Sequence, residues 1–330
     1  MEKLRAGVIG LGYMGRNHAR IYADMDNVEL CAVCDTDKTA LGKISRRYHA
    51  IPYANYTEML ENEKLDVVSI ALPTDLHKEA AIEAMKKGIS VLLEKPIASN
   101  TKDAKEIVEF ANANKAKMMI GHVERFNPAV IELKKMIDAG KLGKVYKIEV
   151  YRCGPFPTRI SDVGVVVDLA VHDLDVINYL VGLKIERMHA ETERRIHPKH
   201  EDLLTALLKL HSNIVVSLNI DWLTPTKIRE LRVTGEKGMF VANYLTQDIY
   251  FYENNMYAGR FDYAETALGV TEGNMTKFMI AKKEPLLAEI ESFINYVTKG
   301  TKPPVSIEDA LKALEVAELL VCDGKNNKGC

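Results

Sequence analysis

The sequence predicts an α/β chain in which a doubly wound parallel sheet is followed by an α+β domain with a mostly antiparallel sheet. From Leu4 to Gly121, short β-rich runs alternate with longer amphipathic runs, which is the order of βαβ units. Beyond Lys144, strand signals follow one another with one long helix between them, which is typical of an antiparallel sheet. At roughly 150 residues per domain, the 330 residues indicate two domains, placed at 1–122 and 123–330.

In the first domain the predicted strands are nearly continuous apolar runs, as expected when helices cover both faces of a parallel sheet. The strands are predicted at residues 5–9, 28–34, 66–72, 90–93 and 117–120, with helices such as 79–87 and 101–114 between them.

In the second domain, Asn127-Pro128 predicts a helix start, since Asn is a favoured N-cap and Pro is favoured in the first turn. Strands are predicted at 145–151, 185–194, 203–211, 214–220, 228–234, 238–243 and 249–252, with a helix at 168–181 that ends at Gly182. Two terminal helices are predicted at 285–299 and 306–322, and one arrangement open to them is packing back towards the first domain.

The charge balance and the cysteines limit the classes of partner. The chain has 44 Lys and Arg residues against 46 Asp and Glu residues, which supplies no overall field for nucleic acid or an anionic membrane. No apolar run approaches the roughly 18 residues of a membrane span, and the start lacks a signal-peptide pattern. Five cysteines are few for this length and predict reduced thiols. We therefore expect a cytoplasmic protein that binds neither nucleic acid nor a membrane.

A glycine motif, Gly10-Leu-Gly12-Tyr13-Met14-Gly15, follows the first predicted strand and opens a helix. In such a motif the first glycine permits the tight turn, the second lets the backbone approach a pyrophosphate, and the third allows close helix packing. Free N–H groups and the helix dipole at that N-terminus attract an anion. The motif therefore predicts a dinucleotide site, and the alternative is a glycine-rich turn without a ligand.

The choice of dinucleotide depends on Asp35, which follows the second predicted strand about 20 positions after the motif, where an acidic side chain accepts hydrogen bonds from ribose hydroxyls. A carboxylate there repels a 2′-phosphate and favours NAD over NADP. Two alternatives stay open. Lys38, Arg46 and Arg47 follow Asp35 and can accommodate the 2′-phosphate of NADP, and Asp35 can instead cap the next helix.

Glu94-Lys95-Pro96 ends the fifth predicted strand. In an open α/β sheet, ligands bind beyond the carboxyl ends of the strands, so these residues are placed to meet substrate and nicotinamide. Partial burial beside a cationic oxidised nicotinamide favours the neutral amine of Lys95, which can then accept a proton from an alcohol. The alternative is an exposed lysine at a strand end.

A second set of candidates lies on the long helix of the second domain. Asp168, His172, Asp175 and Tyr179 fall on one stripe of an α-helix. Asp168 can orient His172 for general acid or base chemistry. The alternative is a solvated polar face, which is common on amphipathic helices.

Taken in this order, the glycine motif, Asp35, Glu94-Lys95-Pro96 and Asp168-x-x-x-His172 resemble the Gfo/Idh/MocA oxidoreductase family over nearly the whole chain. The resemblance implies a Rossmann domain that binds NAD and a second domain with an open sheet that builds a homodimer or homotetramer. It implies Lys95 and His172 as the catalytic pair with Asp168 assisting, and it leaves open which of the pair accepts the proton. The residues implied to line the nicotinamide half are Pro73, Thr74, His77, Glu94 and Lys95.

Three strings, at 121–128, 154–159 and 221–229, resemble those of the UDP-N-acetylglucosamine 3-dehydrogenases within this family. They imply oxidation of the sugar 3-hydroxyl of UDP-N-acetylglucosamine, or of a close UDP-sugar, to the 3-oxo sugar nucleotide, and an aminotransferase as a pathway partner. A near-neutral chain must supply cations locally for the diphosphate, and each candidate can instead form a structural ion pair. The candidate cations are Arg125, Arg152, Arg159, Lys227 and Arg229, and the predicted substrate site also includes Lys95, Asp168 and His172.

Three rival functions stay open: an inositol, polyol or free-sugar dehydrogenase, a non-catalytic dinucleotide-binding regulator, and an NADPH-linked reductase. No metal site is predicted. Cys31 and Cys34 have the spacing of a metal half-site, but on a strand their side chains point to opposite faces. His197 and His200 are interpreted as part of a polar loop.

Overall fold

The computed structural model describes residues 3–157, 163–254 and 273–326, which form two units. Unit 1 contains the chain up to Phe126 together with Glu284–Glu318, and unit 2 contains Asn127–Lys283 and the chain from Leu319. Residues 284–318 therefore complete the first unit, although they follow the whole of the second sheet in the sequence.

Unit 1 is built on a parallel sheet of six strands in the order β3-β2-β1-β4-β5-β6. This confirms the predicted doubly wound sheet, in which the strand order reverses between β1 and β4. The central strand β4 is wholly buried, as its run of apolar residues requires. The strands are β1 Leu4–Ile9, β2 Val28–Cys34, β3 Ile51–Tyr53, β4 Val67–Ile70, β5 Ser90–Glu94 and β6 Met118–Gly121.

Unit 1 contains a short strand, β3, and a 3₁₀ turn at Thr74–Leu76, neither of which was predicted from the sequence. The first five helices are α1 Tyr13–Asp24, α2 Lys38–Tyr48, α3 Tyr56–Asn62, α4 His77–Lys86 and α5 Thr101–Ala113, and the 3₁₀ turns are Thr74–Leu76 and Val123–Phe126. β3 is only three residues long and contains a proline, so it is too short to show a hydrophobic period.

Unit 2 contains a sheet of eight described strands in the order β14-β13-β12-β11-β7-β10-β9-β8. Its described pairs are antiparallel except β7 with β10, which confirms the mostly antiparallel prediction. The strands are β7 Val145–Cys153, β8 Ile185–Glu193, β9 Leu203–Leu210, β10 Val215–Asp221, β11 Ile228–Gly235, β12 Gly238–Asn243, β13 Asp248–Glu253 and β14 Met275–Phe278.

The remaining helices begin and end close to the predicted positions. They are α6 Pro128–Asp138, a π turn Val166–Ala170, α7 Val171–Val181, α8 Pro285–Lys299 and α9 Ile307–Asn326. Asn127 caps α6 as predicted, because its side-chain oxygen accepts a hydrogen bond from the Ala129 N–H at 3.1 Å. Among the described residues, no helix combines the length and apolarity that crossing a bilayer requires.

Candidate functional site

The glycine turn after β1 has the shape that a dinucleotide requires. Gly10 has φ +84°, and a Cβ there would lie 2.4 Å from the Ala71 carbonyl oxygen, so the tight turn excludes a side chain. A Cβ on Gly15 would lie 1.7 Å from the Gly10 carbonyl oxygen, which shows how closely α1 packs on the turn. A Cβ on Gly12 would meet no atom of the described residues within 4 Å, so that side of the backbone is open to a ligand.

The N-terminus of α1 is suited to an anion. Its N-cap is Gly12, which has no side chain to cap the helix. The N–H groups of the first turn and the helix dipole are therefore suited to binding a phosphate. Tyr13, the first residue of α1, is exposed, and Met14 beside it is partly exposed. The residues of this turn therefore fit the pyrophosphate of NAD, with the three glycines in the three expected roles.

Asp35 is fixed beside this turn. One carboxylate oxygen accepts a hydrogen bond from the Leu11 N–H at 2.5 Å, and the other accepts from the Asp37 N–H at 2.8 Å. The cap of α2 is Asp37, whose side chain accepts from the N–H groups of Thr39 and Ala40. The helix-cap alternative for Asp35 is therefore wrong, and the partly exposed carboxylate stands next to the phosphate turn.

Removing the charge of Asp35 is expected to reduce the preference for NAD. In Asp35→Asn, the hydrogen bond of a ribose hydroxyl to a carboxylate is lost and the repulsion of a 2′-phosphate is relieved, so the ratio of NADP to NAD affinity should rise about 10- to 100-fold. Dissociation constants of both cofactors, measured by fluorescence titration, give the ratio. Asp37→Asn is the matched control, because it removes a neighbouring carboxylate that only caps α2. An unchanged ratio in Asp35→Asn would exclude the ribose role.

Glu94 and Lys95 lie at the carboxyl end of β5. Glu94 is buried, and one of its oxygens accepts a hydrogen bond from the Lys95 N–H at 3.3 Å. The Lys95–Pro96 peptide bond is cis. Lys95 is only partly exposed, so it is not the fully solvated strand-end lysine of the alternative interpretation. Its catalytic role stays a prediction.

His77 links the loops that follow β4 and β5. Its Nδ1 lies 2.9 Å from the Pro96 carbonyl oxygen and its Nε2 lies 3.0 Å from the Leu72 carbonyl oxygen. Burial lowers the pKa of His77, although the two carbonyl contacts act in the opposite direction. The ring therefore positions backbone at this edge of the sheet. Pro73 and Thr74 lie just before it, Thr74 being buried in the 3₁₀ turn, and their contact with the nicotinamide stays a prediction.

The helix that carries Asp168 and His172 differs from the predicted regular α-helix. Val166–Ala170 is a π turn, and the α-helix begins at Val171. A π turn contains one more residue than an α-helical turn, so Asp168 does not continue the stripe of His172, Asp175 and Tyr179 that α-helical spacing predicted. π turns are frequent at functional sites. His172 and Asp175 are buried, so the interpretation of a solvated polar face is also wrong. Asp168 is partly exposed.

The candidate cations have different surroundings. Arg152 is 3% exposed and forms a bidentate ion pair with Asp173, which is 2% exposed, at 2.5 and 3.1 Å. Arg125 in unit 1 donates to the Pro304 carbonyl at 2.8 Å and to Asp309 at 3.0 Å. For both arginines the structure shows the ion-pair alternative.

Arg229 and Lys227 are less buried than Arg125 and Arg152. The guanidinium of Arg229 donates to the carbonyls of Cys153 at 2.6 Å and of Ile228 at 2.7 Å, and Lys227 is exposed. Arg159 lies outside the described residues. A phosphate contact by Arg125, Arg159, Lys227 or Arg229 stays a prediction.

A buried polar cluster behind Glu94 was not predicted from the sequence. It contains His18 and Tyr22 on α1, Ser69 on β4 and Glu289 on α8. A signal for part of it was present, since Gly15, His18 and Tyr22 recur at helical spacing on one face of α1, and that face packs on the sheet. Nothing in the local sequence indicates Glu289, because it reaches unit 1 from the far end of the chain.

The two pairs that resembled metal half-sites have structural surroundings. Burial raises the pKa of the Cys34 thiol to about 12, which disfavours the thiolate that binds metals. His197 Nδ1 accepts hydrogen bonds from the N–H groups of Lys199 at 3.1 Å and His200 at 2.8 Å, so it closes its own loop. Trp222 is buried against Phe156 and His197, as a core residue.

Comparison with family models gives two matches. Residues 4–122 match a model described as an oxidoreductase family, NAD-binding Rossmann fold (GFO_IDH_MocA). Residues 130–241 match the GFO/IDH/MocA C-terminal domain. The first unit thus contains an NAD-binding Rossmann domain.

Several characterised proteins are similar to this chain. UDP-N-acetylglucosamine 3-dehydrogenase from Acidithiobacillus ferrooxidans is 28% identical over 297 residues, 90% of each chain. A crystal structure under that name has a TM-score of 0.86 over 99% of both chains. Myo-inositol 2-dehydrogenase from Thermotoga maritima is 25% identical over 94% of this chain and 93% of its own. The WlbA dehydrogenase from Chromobacterium violaceum, solved with NADH and UDP-GlcNAcA, has a TM-score of 0.83 at 24% identity, covering 99% of this chain and 95% of its own.

Proposed function

Because this chain belongs to the Gfo/Idh/MocA oxidoreductase family, we propose that it is an NAD-dependent dehydrogenase that oxidises the sugar 3-hydroxyl of UDP-N-acetylglucosamine or a close UDP-sugar. The product is the 3-oxo sugar nucleotide. The observation that carries the substrate assignment is the similarity to a UDP-N-acetylglucosamine 3-dehydrogenase over 90% of both chains. The glycine turn and the fixed Asp35 carboxylate support NAD as the cofactor.

Different residues of unit 1 bind different parts of NAD in this proposal. The open side of Gly12 and the N-terminus of α1 would hold the pyrophosphate, and Asp35 would bind the adenosine ribose. His77 fixes the backbone after β4 and β5, and Glu94 and Lys95 at the end of β5 would contact the nicotinamide half. Bound NAD supplies the hydride acceptor at C4 of its ring.

The chain itself must move one proton. As the C3–H bond of the sugar breaks and its electron pair leaves as hydride, the hydroxyl proton passes to Lys95 or His172, and the C3–O bond becomes a carbonyl. A positioned base of this kind contributes roughly 100- to 10,000-fold to the rate. Asp168 orients His172 in this proposal.

A panel of substrates tests the proposed function. The chain is incubated with NAD and with UDP-N-acetylglucosamine, other UDP-sugars, myo-inositol or glucose, and NADH is followed by absorbance. We expect NADH only with UDP-sugars, and mass spectrometry should show a product two hydrogens lighter. An aminotransferase with its amino donor is included as a trap, because it removes the ketone when the equilibrium disfavours it.

The other outcomes identify the rivals. Activity with inositol or glucose and none with UDP-sugars would indicate a polyol or free-sugar dehydrogenase, a function that the similarity to myo-inositol 2-dehydrogenase favours. Tight NAD binding without turnover of any compound would indicate a dinucleotide-binding regulator.

Self-association is part of the proposal. One face of the sheet in unit 2 carries exposed apolar side chains at Leu207, Val215 and Tyr252, which the strand register places on the same side. Such a face supports a homodimer or homotetramer. The cytoplasmic location and an aminotransferase partner stay predictions.

A further inference from the structure

We propose that a buried chain of hydrogen bonds from Tyr22 through Ser69 and His18 holds the Glu94 carboxylate in place, and that the negative charge of this carboxylate makes the protein favour oxidised NAD over NADH. His18, Ser69 and Tyr22 are then positioning residues, which act on the cofactor through Glu94. The inference rests on the proposed function in one respect, the placement of Glu94 beside the nicotinamide ring.

The chain of contacts is continuous and shielded from water. The Tyr22 hydroxyl lies 2.8 Å from Ser69 Oγ, Ser69 Oγ lies 2.9 Å from His18 Nδ1, and His18 Nε2 lies 2.9 Å from Glu94 Oε1. The exposed fractions of the four residues are between 0% and 7%. Each step joins different elements, since Tyr22 and His18 lie on α1, Ser69 on β4 and Glu94 at the end of β5.

One direction of donation runs through the whole of the proposed chain. Burial raises the pKa of Tyr22, so the phenol keeps its proton, and in the proposed chain it donates this proton to Ser69 Oγ. Ser69 has a single hydroxyl proton, which it then donates to His18 Nδ1. In this arrangement His18 Nε2 carries the proton and donates it to Glu94 Oε1. The last acceptor of the proposed chain is then the Glu94 carboxylate, which this hydrogen bond holds in place.

The position of β5 explains why this charge affects the cofactor. The strand order reverses between β1 and β4, and ligands bind beyond the carboxyl ends of the strands at such a point. The glycine turn follows β1, and Asp35 beyond β2 takes the adenosine half, so the nicotinamide half extends towards β4 and β5. The nicotinamide ring is cationic when oxidised and neutral when reduced. A fixed carboxylate at the end of β5 therefore stabilises the oxidised form selectively.

A second buried acid lies in the same cluster. Glu289 on α8 is wholly buried, and the nearest ligand atoms of His18, Glu94 and Glu289 lie within 4.8 Å of one another. In the proposed chain His18 Nε2 donates to Glu94 Oε1, so this nitrogen is not available as a ligand for a cation.

Equilibrium binding of NAD and NADH, without any sugar, tests the inference. Dissociation constants are measured by calorimetry for the full chain and for Glu94→Gln, His18→Leu and His18→Gln. We expect Glu94→Gln to lower the preference for NAD over NADH about tenfold, by removing one charge at short range. His18→Leu should lower it in the same direction, and His18→Gln should restore most of the loss, because its amide N–H replaces the donor to Glu94.

A matched control separates this effect from lost stability. Ile21→Ala empties a buried position on the same helix without touching the hydrogen bonds, so it should lower the melting temperature and leave the ratio of the two dissociation constants unchanged. Unchanged ratios in folded Glu94→Gln and His18→Leu would overturn the inference. Equal weakening of both cofactors in His18→Leu, without rescue in His18→Gln, would also overturn it, since it indicates a structural role only.

The two proposals fail independently. If the wild-type chain oxidises no UDP-sugar but the variants change the NAD to NADH ratio as expected, the substrate assignment is wrong and the role of the hydrogen-bond chain stands. If UDP-N-acetylglucosamine is oxidised but the ratios are unchanged, the substrate assignment stands and the role of the hydrogen-bond chain is wrong.

Discussion

Lys95→Met is expected to lower the turnover of the UDP-sugar by about 100- to 10,000-fold, the contribution of a positioned general base. Methionine keeps the length and most of the volume of the side chain but carries no group that takes a proton. The glycine turn and Asp35, which bind the pyrophosphate and the adenosine ribose in the proposed function, are unchanged in this variant, so the dissociation constant of NAD should change little. Single-turnover kinetics and NAD titration measure the two quantities separately.

The matched control for this prediction is Lys102→Met, which makes the same chemical change at an exposed position on α5. Its turnover should equal that of the wild type. Wild-type turnover in Lys95→Met would remove Lys95 from the mechanism and leave His172 as the proton acceptor. A parallel loss of turnover and NAD affinity would instead assign Lys95 a binding role.

Asp173→Asn is expected to destabilise the protein by about 3–5 kcal/mol, because it leaves the Arg152 guanidinium buried beside a neutral partner. For a unit of this size the melting temperature should fall by roughly 6–20 °C. Thermal unfolding followed by circular dichroism measures the change. Asp138→Asn is the control, since this carboxylate also pairs with a cation but is exposed on α6, where such a pair contributes about 0–1 kcal/mol.

The same pair separates the two interpretations of Arg152. If it is a structural ion pair, Arg152→Met should destabilise the protein as much as Asp173→Asn, and the double variant should lose less than the sum of the two single losses. If Arg152 instead holds the diphosphate, Arg152→Met would raise KM for the UDP-sugar with little loss of stability, and that result would contradict the structural assignment.

The order of elements was predictable because the hydrophobic pattern records burial directly. Val67 to Ile70 are apolar or small at every position, as a strand covered on both faces must be. Gly10, Gly12 and Gly15 were predictable for a different reason. A side chain would clash with the backbone at Gly10 and Gly15, and the absence of a side chain at Gly12 leaves the backbone open to a ligand. Asp35 was predictable from its distance to this motif, but only the structure shows that its oxygens bind the Leu11 and Asp37 N–H groups.

What the sequence could not predict depends on contacts between distant residues. The pairing of Arg152 with Asp173 and of Arg125 with Asp309 decides the surroundings of both arginines, and no local pattern carries that information. The π turn at Val166–Ala170 is a small departure from helical spacing that amphipathic counting overlooks. Glu289 reaches His18 and Glu94 only because the chain returns to unit 1 after the second sheet.

That return has a consequence for how the protein is made. Ile290 and Phe293 on α8 are wholly buried and belong to unit 1, yet they emerge from the ribosome after everything up to Lys283. The amino-terminal nucleotide-binding half therefore waits, with an unfinished core, while the intervening sheet is synthesised. During that interval its apolar surface stays uncovered. Chaperones should therefore bind this half more than the half translated later, and truncation of the chain should damage it more.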